Sequence, residues 1–593
     1  MIAFLRWLRS LFAGVFTGIA RFVAFLIVVG VVVLIVSLAR GDGLPSNIVL
    51  TADLRSSLPD SAARPALPLA SRPVTLMDLI FALEAAGKDA RIKGIVMKLG
   101  GGGISIAQAE EISTALSRFK SHGKFVIAQA TAFNGPGMGD YLAATAADEI
   151  WVQPKSNFGV AGAGVGELFL KGLFEKIKAV PQMAKRSEYK SAADMYMEKD
   201  MTAPDREQLT RVVNSWYDTA TGEVAKARKL SQAQVQAAFE ASPQFAEEAR
   251  DKGLLDRVGY DDDALGAATK RAGAGAKGVK ISDYIKGRDD LPVLNANIAV
   301  IQASGEINDG TDQGNLFTGS SGIASDDLSA AIRQATADRD IKAIVFRVDS
   351  PGGSVTASDQ ILDAIKKAQA KGKPVVVSMG SVAASGGYYV SASADRIVAE
   401  PGTLTGSIGV LTGKVSFGGT QDLIGVKLEQ VAAGKNTLMD SPSQPFTDEQ
   451  WANLNHQADV IYADFLNKVS AGRKLPLEQV ADTARGRVWT GADLKSKGLV
   501  NDLGGFWTAA GLAAGLGKVE PSAVSFRVYP KPKGFFDNME RVFGGTETSL
   551  HALSTLQALV TLPAVENVVQ AMHDAPRRGV ELRAPGLLQL VGN

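Results

Sequence analysis

The chain has 593 residues, of which 46% are hydrophobic and 21% charged, and this describes a folded protein of several domains. A net charge of +1 gives no electrostatic signature for nucleic acid. The sequence has no cysteine, and its four histidines (122, 456, 551 and 573) form no metal-like cluster, so we predict no disulfide, no thiol nucleophile, no metal and no cofactor.

The first element along the chain is an uncharged apolar run at residues 22–39. With a rise of about 1.5 Å per residue, a helix of this length covers most of a hydrocarbon slab about 30 Å thick. The run is too long for the apolar part of a secretory signal peptide. Because Arg6, Arg9 and Arg21 precede it, the positive-inside rule predicts a cytoplasmic N-terminus at 1–21, a transmembrane anchor at 22–39 and all later residues outside.

The rest of the chain contains an internal repeat. The matched segments run in the same order: residues 91–99 with 340–348, the glycine-rich turns 100–103 with 351–353, the helical segments 107–119 with 357–369, the apolar strands 123–128 with 372–377, and 147–152 with 394–399. Short apolar runs alternate with helical stretches in each copy, which favours helices that cover a largely parallel sheet.

The sequence therefore predicts an α/β fold of two tandem repeats after the anchor. We place the repeats at 46–285 and 296–530, and we interpret residues 270–288, rich in Gly, Ala and charge, as a linker region. Residues 531–593 are apolar with a helical period in part, and we expect a C-terminal helical tail there.

The two copies differ where chemistry is expected. The second copy has Ser385 between small residues and glycines, whereas residues 134–139 of the first copy contain no hydroxyl. The reverse holds further on, since the first copy has Lys190 in a segment where the second has a different pattern that includes Lys435. Complementary loss of this kind is typical of one site built across two copies.

A serine hydroxyl needs a base to remove its proton, and no histidine lies near these motifs. Lysine can act as the base when burial lowers its pKa, so Lys190 is the candidate and Lys435 its rival. Ser407, in a glycine-rich turn after the nucleophile, is placed to orient that lysine. The backbone N–H groups of Gly353 and Gly386 are the natural donors to an oxyanion, because glycine lets a backbone approach a ligand closely.

These motifs together resemble one known family. They are Asp-Ser-Pro-Gly-Gly-Ser at 349–354, Ala-Ser-Gly-Gly-Tyr at 384–388, Leu-Thr-Gly-Ser-Ile-Gly at 404–409 and Tyr-Lys-Ser at 189–191. The chain is similar to the signal peptide peptidase A family, in the long duplicated bacterial form also called protease IV. The likeness covers nearly the whole chain and is weakest after about residue 531.

The resemblance implies a Clp/crotonase-like α/β fold and a membrane-bound serine endopeptidase with a Ser-Lys dyad. It makes Ser385 the nucleophile, Lys190 the general base and Ser407 the serine that orients the lysine, with Gly353 and Gly386 at the oxyanion positions. The implied substrates are signal peptides left in the membrane after their cleavage. The implied setting is a homotetramer at the bacterial inner membrane, held in the bilayer by its anchor, with periplasmic catalytic domains.

In short members of the family the base falls in a Gly-Lys-Tyr-Lys context. The segment 434–437 resembles that context with Thr437 in the place of the base, which weighs against Lys435. Two alternatives stay open: a non-proteolytic membrane scaffold or peptide-binding protein on the same fold, and acyl-CoA chemistry of the crotonase type. The second conflicts with a location outside the cytoplasm, and fold alone does not assign function.

Overall fold

The structure is a computed structural model, and it describes residues 43–61, 73–135, 137–286, 296–311 and 322–530, together with the backbone of 581–583. The predicted cytoplasmic N-terminus at 1–21, the predicted anchor at 22–39 and nearly all of the predicted tail lie outside the described residues. Within the described ranges, no helix has both the length and the apolar character needed to cross a bilayer.

The first repeat alternates strands and helices as its apolar pattern predicts. Its strands are β1 (Ile48–Asp53), β2 (Ile92–Leu99), β3 (Phe125–Ala130), β4 (Glu149–Val152), β5 (Asn157–Phe158), β6 (Val180–Arg186), β7 (Gln244–Phe245), β8 (Arg257–Val258) and β9 (Lys277–Lys280). Its helices are α1 (Leu76–Lys88), α2 (Ile106–Ser121), α3 (Met138–Ala144), α4 (Lys171–Lys176), α5 (Asp194–Met197), α6 (Ala203–Arg228), α7 (Gln232–Glu240), α8 (Ala246–Asp251), α9 (Asp261–Ala272) and α10 (Ile281–Lys286).

The second repeat has the same alternation. Its strands are β10 (Ile298–Ser304), β11 (Glu306–Asn308), β12 (Gly322–Ala324), β13 (Ala343–Ser350), β14 (Gly352–Ser354), β15 (Val375–Ala384), β16 (Arg396–Ala399), β17 (Leu404–Gly406), β18 (Val410–Ser416), β19 (Val488–Thr490), β20 (Asp502–Leu503) and β21 (Phe526–Tyr529), and β22 (Glu581–Arg583) follows in the tail. Its helices are α11 (Ser325–Ala337), α12 (Val355–Ala370), α13 (Gly386–Ser391), α14 (Gly418–Leu423), α15 (Asp448–Arg473), α16 (Leu477–Ala484), α17 (Gly491–Ser496) and α18 (Phe506–Leu516).

Each repeat has its own largely parallel sheet. The first has the order β8-β4-β3-β2-β1-β9 and the second the order β19-β17-β15-β13-β10-β21, with β16 beside β15 and β20 beside β16. All ten residues of β15 are buried, as expected for a central strand covered by helices on both faces. The expected α/β fold of tandem Clp-like repeats is confirmed.

Matching contacts show the duplication independently of the sequence pattern. The hydroxyl of Tyr141 donates to the carbonyl of Leu254 at 2.8 Å, and the hydroxyl of Tyr388 donates to the carbonyl of Leu499 at 2.8 Å. The long helices α6 and α15 each have 26 residues, and each ends at a lysine in the left-handed conformation. The two units therefore share their packing as well as their order of elements.

The interpretation of residues 270–288 as a linker is wrong. Residues 261–272 form α9, and Lys277–Lys280 form β9, which pairs in parallel with β1 at the edge of the first sheet. A four-residue edge strand with charged, exposed side chains has the composition of a loop, so its sequence pattern gives no sign of the pairing.

A third sheet joins the two repeats, with the strand order β12-β11-β14-β22-β18-β6. Strand β6 of the first repeat pairs antiparallel with β18 of the second over seven residues, from Val180 with Ser416 to Arg186 with Val410. This pairing delivers the segment after Arg186, which contains Lys190, to the second repeat.

A buried ion-pair cluster also crosses between the repeats. The guanidinium of Arg347 in β13 is fully buried, and its Nη2 lies 2.7 Å from Glu111 Oε2. Its Nε lies 3.0 Å from Asp60 Oδ1. Both carboxylates belong to the first repeat, so a charge of the second repeat is neutralised only when the two repeats are packed together.

Candidate active site

Ser385 stands at a sharp strand-to-helix turn between β15 and α13. Its φ is +56° and its ψ −114°, a conformation that is uncommon for a residue with a side chain. The residue is fully buried, and its backbone N–H donates to the carbonyl of Gly406 at 2.8 Å. A strained and well-anchored serine of this kind is a feature that functional sites maintain against its energetic cost.

The glycines after Ser385 permit close backbone packing. A Cβ at Gly387 would lie 2.6 Å from the carbonyl oxygen of Ser350, and a Cβ at Gly386 would lie 3.1 Å from the backbone N of Gly353. Gly353 in β14 has φ +151°, and a Cβ there would lie 2.1 Å from the carbonyl oxygen of Ile307. The two predicted oxyanion donors, Gly353 and Gly386, are therefore neighbours beside Ser385; only glycine fits at Gly353, and a Cβ at Gly386 would be tightly packed.

Lys190 reaches this turn from the first repeat. Its Nζ lies 2.8 Å from Ser385 Oγ, 2.9 Å from Ser407 Oγ and 3.0 Å from the carbonyl oxygen of Ser407. The side chain is fully buried, and burial lowers the pKa of Lys190 well below its usual value. A buried lysine beside a serine hydroxyl, with its amine favoured in the neutral form, can accept the proton of that hydroxyl.

Ser407 lies in the turn between β17 and β18 with φ +52°. Its backbone N–H donates to the carbonyl of Arg487 at 2.7 Å, which fixes the turn against the segment before β19. The three side chains that the sequence predicts for the site, Ser385, Lys190 and Ser407, are thus brought together within a single chain.

The rival lysine lies at the surface, outside this arrangement. Lys435 has 71% of its side chain exposed, and its ammonium forms an ion pair with Glu449. The ammonium of Lys435 is therefore directed to Glu449, whereas the buried amine beside Ser385 is that of Lys190.

The first repeat has different residues at the positions that correspond to Ser385 and Gly387. The matching tyrosines place Met138 at the position of Ser385 and Asp140 at that of Gly387. The Asp140 carboxylate is buried and accepts from the backbone N–H of Gly100 at 2.9 Å, in the glycine-rich turn that corresponds to the oxyanion turn. The first repeat therefore fills its own turn with a carboxylate and has no hydroxyl to activate there.

Two further residues beside the lysine were not predicted from the sequence. Gly486 has φ +73°, and a Cβ there would lie 2.7 Å from Lys190 Cβ and 2.8 Å from Lys190 N. Gln208 in α6 is fully buried and donates through Nε2 to the carbonyl of Tyr189 at 3.1 Å. A glycine between two arginines resembles an ordinary turn, and a glutamine on a helix carries no catalytic signature, so neither had a usable signal.

In the part of the chain that the structure describes, no group of three or more metal-ligating side chains is placed to hold an ion. The chemistry available at the site is that of the Ser385 hydroxyl, the Lys190 amine and the surrounding backbone donors.

Comparison with known proteins gives the following likenesses. The sequence profile of peptidase family S49 matches residues 118–275 and 367–520, which fall in the two repeats, and that of Clp protease matches residues 321–401. The chain is 32% identical to "Protease 4" of Salmonella typhi over 84% of this chain and 81% of that protein. It is 32% identical to "Protease 4" of Haemophilus influenzae over 73% of this chain and 72% of that protein.

A plant protein is similar to the same degree. The chain is 31% identical to "Serine protease SPPA, chloroplastic" of Arabidopsis thaliana over 72% of this chain. The match spans 64% of the length of that relative, slightly less than two thirds.

Proposed function

Since the chain belongs to peptidase family S49 and is a serine peptidase, we propose that Ser385 is its nucleophile and Lys190 its general base. The observation that carries this proposal is the 2.8 Å distance between Nζ of Lys190 and Oγ of Ser385, both of which are fully buried residues. Burial favours the neutral amine, which is the form that can accept a proton.

The hydrogen bonds of Lys190 suit this role. A neutral amine has two N–H bonds and one lone pair. In our proposal the two N–H bonds go to the hydroxyl and the carbonyl of Ser407, 2.9 and 3.0 Å away. The lone pair is then left facing the hydroxyl of Ser385, so Ser407 orients the base toward its proton.

The reaction follows in two halves. Ser385 Oγ bonds to the peptide carbonyl carbon while Lys190 accepts the hydroxyl proton, and the carbonyl oxygen becomes an oxyanion that the N–H groups of Gly353 and Gly386 stabilise. The C–N bond then breaks, and Lys190 passes its proton to the leaving amine. In the second half Lys190 takes a proton from water, the hydroxide bonds to the acyl carbon, and the proton returns to Ser385 Oγ as the acid leaves.

We propose that the substrate is an extended apolar peptide, such as a cleaved signal peptide. In support, β14 pairs antiparallel with β22, which aligns Gly353 with Leu582. In our proposal β14, beside the oxyanion donors, pairs in the same way with the extended backbone of a substrate peptide. Main-chain pairing of that kind binds peptides with little dependence on their side chains.

We further propose that the enzyme is anchored in the bacterial inner membrane by residues 22–39, with the catalytic repeats in the periplasm. The length of this apolar run and the arginines before it support the proposal. A membrane anchor places the site where signal peptides remain after their release, because they too partition into the bilayer.

The internal symmetry supports an assembly of several copies. Within the chain, β6 of one repeat pairs with β18 of the other. The glycines at both ends of segment 406–409 in the second repeat match those at both ends of segment 159–162 in the first. A six-residue helix, α14 or α4, follows each segment after the same number of residues. Residues 163–169 therefore correspond to β18 and residues 427–433 to β6, yet both segments lie outside any strand.

The exposed side chains of these two segments fit such a pairing. Leu168 is 54% exposed, Leu428 50% and Val431 fully exposed. The register of β6 with β18 would set Leu168 against Leu428 and Val165 against Val431. We propose that 427–433 of one copy pairs with 163–169 of the next, a head-to-tail contact that closes into a ring. We take that ring to be a homotetramer.

The ring has a direct test, because the natural sequence has no cysteine. Leu168→Cys and Leu428→Cys in one chain should cross-link under mild oxidation into a ladder that ends at four copies, since directly paired residues come within disulfide reach. Each single variant serves as the control and should give no ladder. Failure of the double variant to cross-link would contradict the proposed contact.

The catalytic assignment is tested with three variants and an apolar peptide substrate. Ser385→Ala and Lys190→Ala should each abolish hydrolysis while the thermal transition stays cooperative. Lys435→Ala is the matched control, and it should keep the wild-type rate because that lysine is exposed and paired with Glu449. Retention of wild-type turnover in either of the first two variants would refute the assignment.

A further inference from the structure

The contacts of Lys190 hold the tip of its side chain more firmly than its backbone. Its amine lies against Ser385 and Ser407, but the residue itself belongs to a short irregular segment between β6 and α5. Its own backbone N–H makes a long bond, 3.3 Å, to the carbonyl of Ser187, and the N–H of Tyr189 makes another of 3.3 Å to Arg485. A short bond of 2.8 Å from the N–H of Ser191 to the carbonyl of Tyr189 lies within the segment, and the backbone bond that ties the segment to the second repeat is the long one to Arg485. A second tie to the second repeat would hold the amine within reach of the serine.

Gln208 of α6 makes short contacts to the residues on both sides of the lysine. Its Nε2 lies 3.1 Å from the carbonyl oxygen of Tyr189 and 2.9 Å from Ser191 Oγ. The same nitrogen lies 2.9 Å from Asp205 Oδ1, one turn earlier in the helix. The side chain is fully buried, so no water competes for these acceptors.

The other end of the same amide binds the second repeat. The backbone N–H of Val488 donates to Gln208 Oε1 at 3.0 Å. This bond also settles the orientation of the amide, because the oxygen must face the Val488 N–H and the nitrogen must face the Tyr189 carbonyl. No rotation of the amide group satisfies both backbone partners in the reverse sense.

These bonds form a closed circuit of hydrogen bonds around the site. Val488 follows Arg487, whose carbonyl accepts the N–H of Ser407 at 2.7 Å, and Ser407 in turn contacts the lysine amine. Within this circuit Gln208 connects the lysine segment to the turn of Ser407 through the interior of the protein, beside the longer bond from Tyr189 to Arg485.

The second repeat offers a comparison. Helices α6 and α15 begin at Ala203 and Asp448, so the sixth residue of the first is Gln208 and that of the second is Asn453. Asn453 is exposed. The buried amide is thus present only in the copy that carries the lysine, and the packing of this helix type does not require it.

We infer that Gln208 is a positioning residue for the catalytic lysine, and that it sets the distance from Lys190 to Ser385 across the boundary between the repeats. The inference rests on the proposed Ser-Lys mechanism. The hydrogen bonds of Gln208 go to Tyr189, Ser191, Asp205 and Val488 and not to the reacting atoms, so its removal should lower kcat and leave KM nearly unchanged. A misplacement of about 1 Å costs on the order of 10² in rate.

The test uses Gln208→Met, which keeps the length of the side chain and removes both hydrogen-bonding groups. We expect kcat per active site, counted by titration with a serine-directed phosphonate, to fall about 10²-fold. We also expect the acid limb of the kcat/KM profile to move to higher pH, because a looser segment admits water and lets the lysine pKa rise toward its ordinary value. If Gln208 only stabilised the fold, Gln208→Met would lower the number of active sites that the phosphonate labels. The acid limb would then stay at its wild-type pH.

Gln244→Met is the matched control. Gln244 is also buried in the first repeat, donates to the carbonyl of Ala238 at 3.0 Å and accepts from Lys252. It is not part of the hydrogen-bond circuit around the site. It should change stability and leave kcat per site and the pH profile as in the wild type.

If Gln208→Met does not fold, Gln208→Asn keeps a neutral amide but is one methylene too short to bridge Tyr189 and Val488, and the same shift of the acid limb is expected from it. A kcat per site within twofold of the wild type, with an unmoved acid limb, would overturn the inference. Wild-type turnover by Lys190→Ala would instead overturn the proposed mechanism on which it rests.

Discussion

Replacement of Gly486 by alanine should displace Lys190 while every group that takes part in the reaction keeps its chemical identity. A Cβ at this position would lie 2.7 Å from Lys190 Cβ, 2.8 Å from its N and 2.9 Å from its Cα. Ordinary contacts between carbon atoms are about 3.5–4.0 Å long, so the two segments must separate by about 1 Å. Two of these atoms are backbone and the third is Cβ, whose place the backbone fixes, so no change of side-chain rotamer can relieve the contact.

Two effects follow from the substitution and can be measured apart. The positive φ of +73° adds strain of about 1–2 kcal/mol for any residue with a Cβ. The displacement of Lys190 should lower kcat on the order of 10²-fold, because the amine no longer meets the Ser385 hydroxyl at the required distance. Stability is followed by chemical denaturation, and kcat is referred to the concentration of active sites found by titration.

Gly372→Ala is the matched control for the strain. Gly372 has φ +74° and no atom within 4 Å of the position of its Cβ, so it reproduces the backbone penalty without the contact. Both variants should lose similar stability from strain, and only Gly486→Ala should lose kcat. Equal kcat in the two variants would refute the reasoning that this glycine sets the place of the lysine.

Three other predictions concern the repeat boundary and the titration of the site. Arg347→Met leaves the carboxylates of Asp60 and Glu111 buried without their cation, and it should lower the free energy of unfolding by about 3–5 kcal/mol in urea titration; a loss below 1 kcal/mol would contradict this account of the boundary. Burial lowers the pKa of Lys190, so the unfolded chain binds a proton that the folded chain does not, and stability should rise with pH up to the ordinary value near 10.5. Lys190→Met should therefore be more stable than the wild type near pH 7 by a margin that shrinks toward pH 10, and a margin independent of pH would contradict the lowered pKa. Ser407→Ala removes one of the two acceptors of the lysine amine and should reduce kcat roughly tenfold, the effect of one hydrogen bond of about 1.4 kcal/mol. An unchanged kcat and pH-rate profile would contradict this prediction and show that the carbonyl of Ser407 alone orients the amine.

The residues proposed for the chemistry could be chosen from the sequence. Ser385 and Lys190 stood out because each copy of the repeat lacks what the other keeps, and the structure brings the two side chains together. The sequence already favoured Lys190 over Lys435, because Thr437 stands in the place of the base in the second copy. The fold adds the physical reason, since the pairing of β6 with β18 carries Lys190 into the interior while Lys435 stays at the surface.

Gln208 and Gly486, the two residues that support the lysine, could not be predicted from the sequence, and the reason is physical. Gln208 acts through an amide whose value depends on four partners from three separate segments, and none of those distances is encoded locally. The role of Gly486 depends on what lies opposite it, not on its own turn. The edge strand β9 was missed because charged, exposed residues look like a loop until a neighbouring strand is present to pair with them.

The central claim is that a lysine of the first repeat deprotonates a serine of the second. The most direct measurement is the rate at which a serine-directed fluorophosphonate labels the wild type and Lys190→Met across pH 5 to 10, with the adduct located by peptide mass mapping. We predict a single adduct on Ser385, a wild-type rate that rises with pH and levels off well below pH 10.5, and little labelling of the variant at any pH. Labelling of Lys190→Met at the wild-type rate, or an adduct on another residue, would contradict the account.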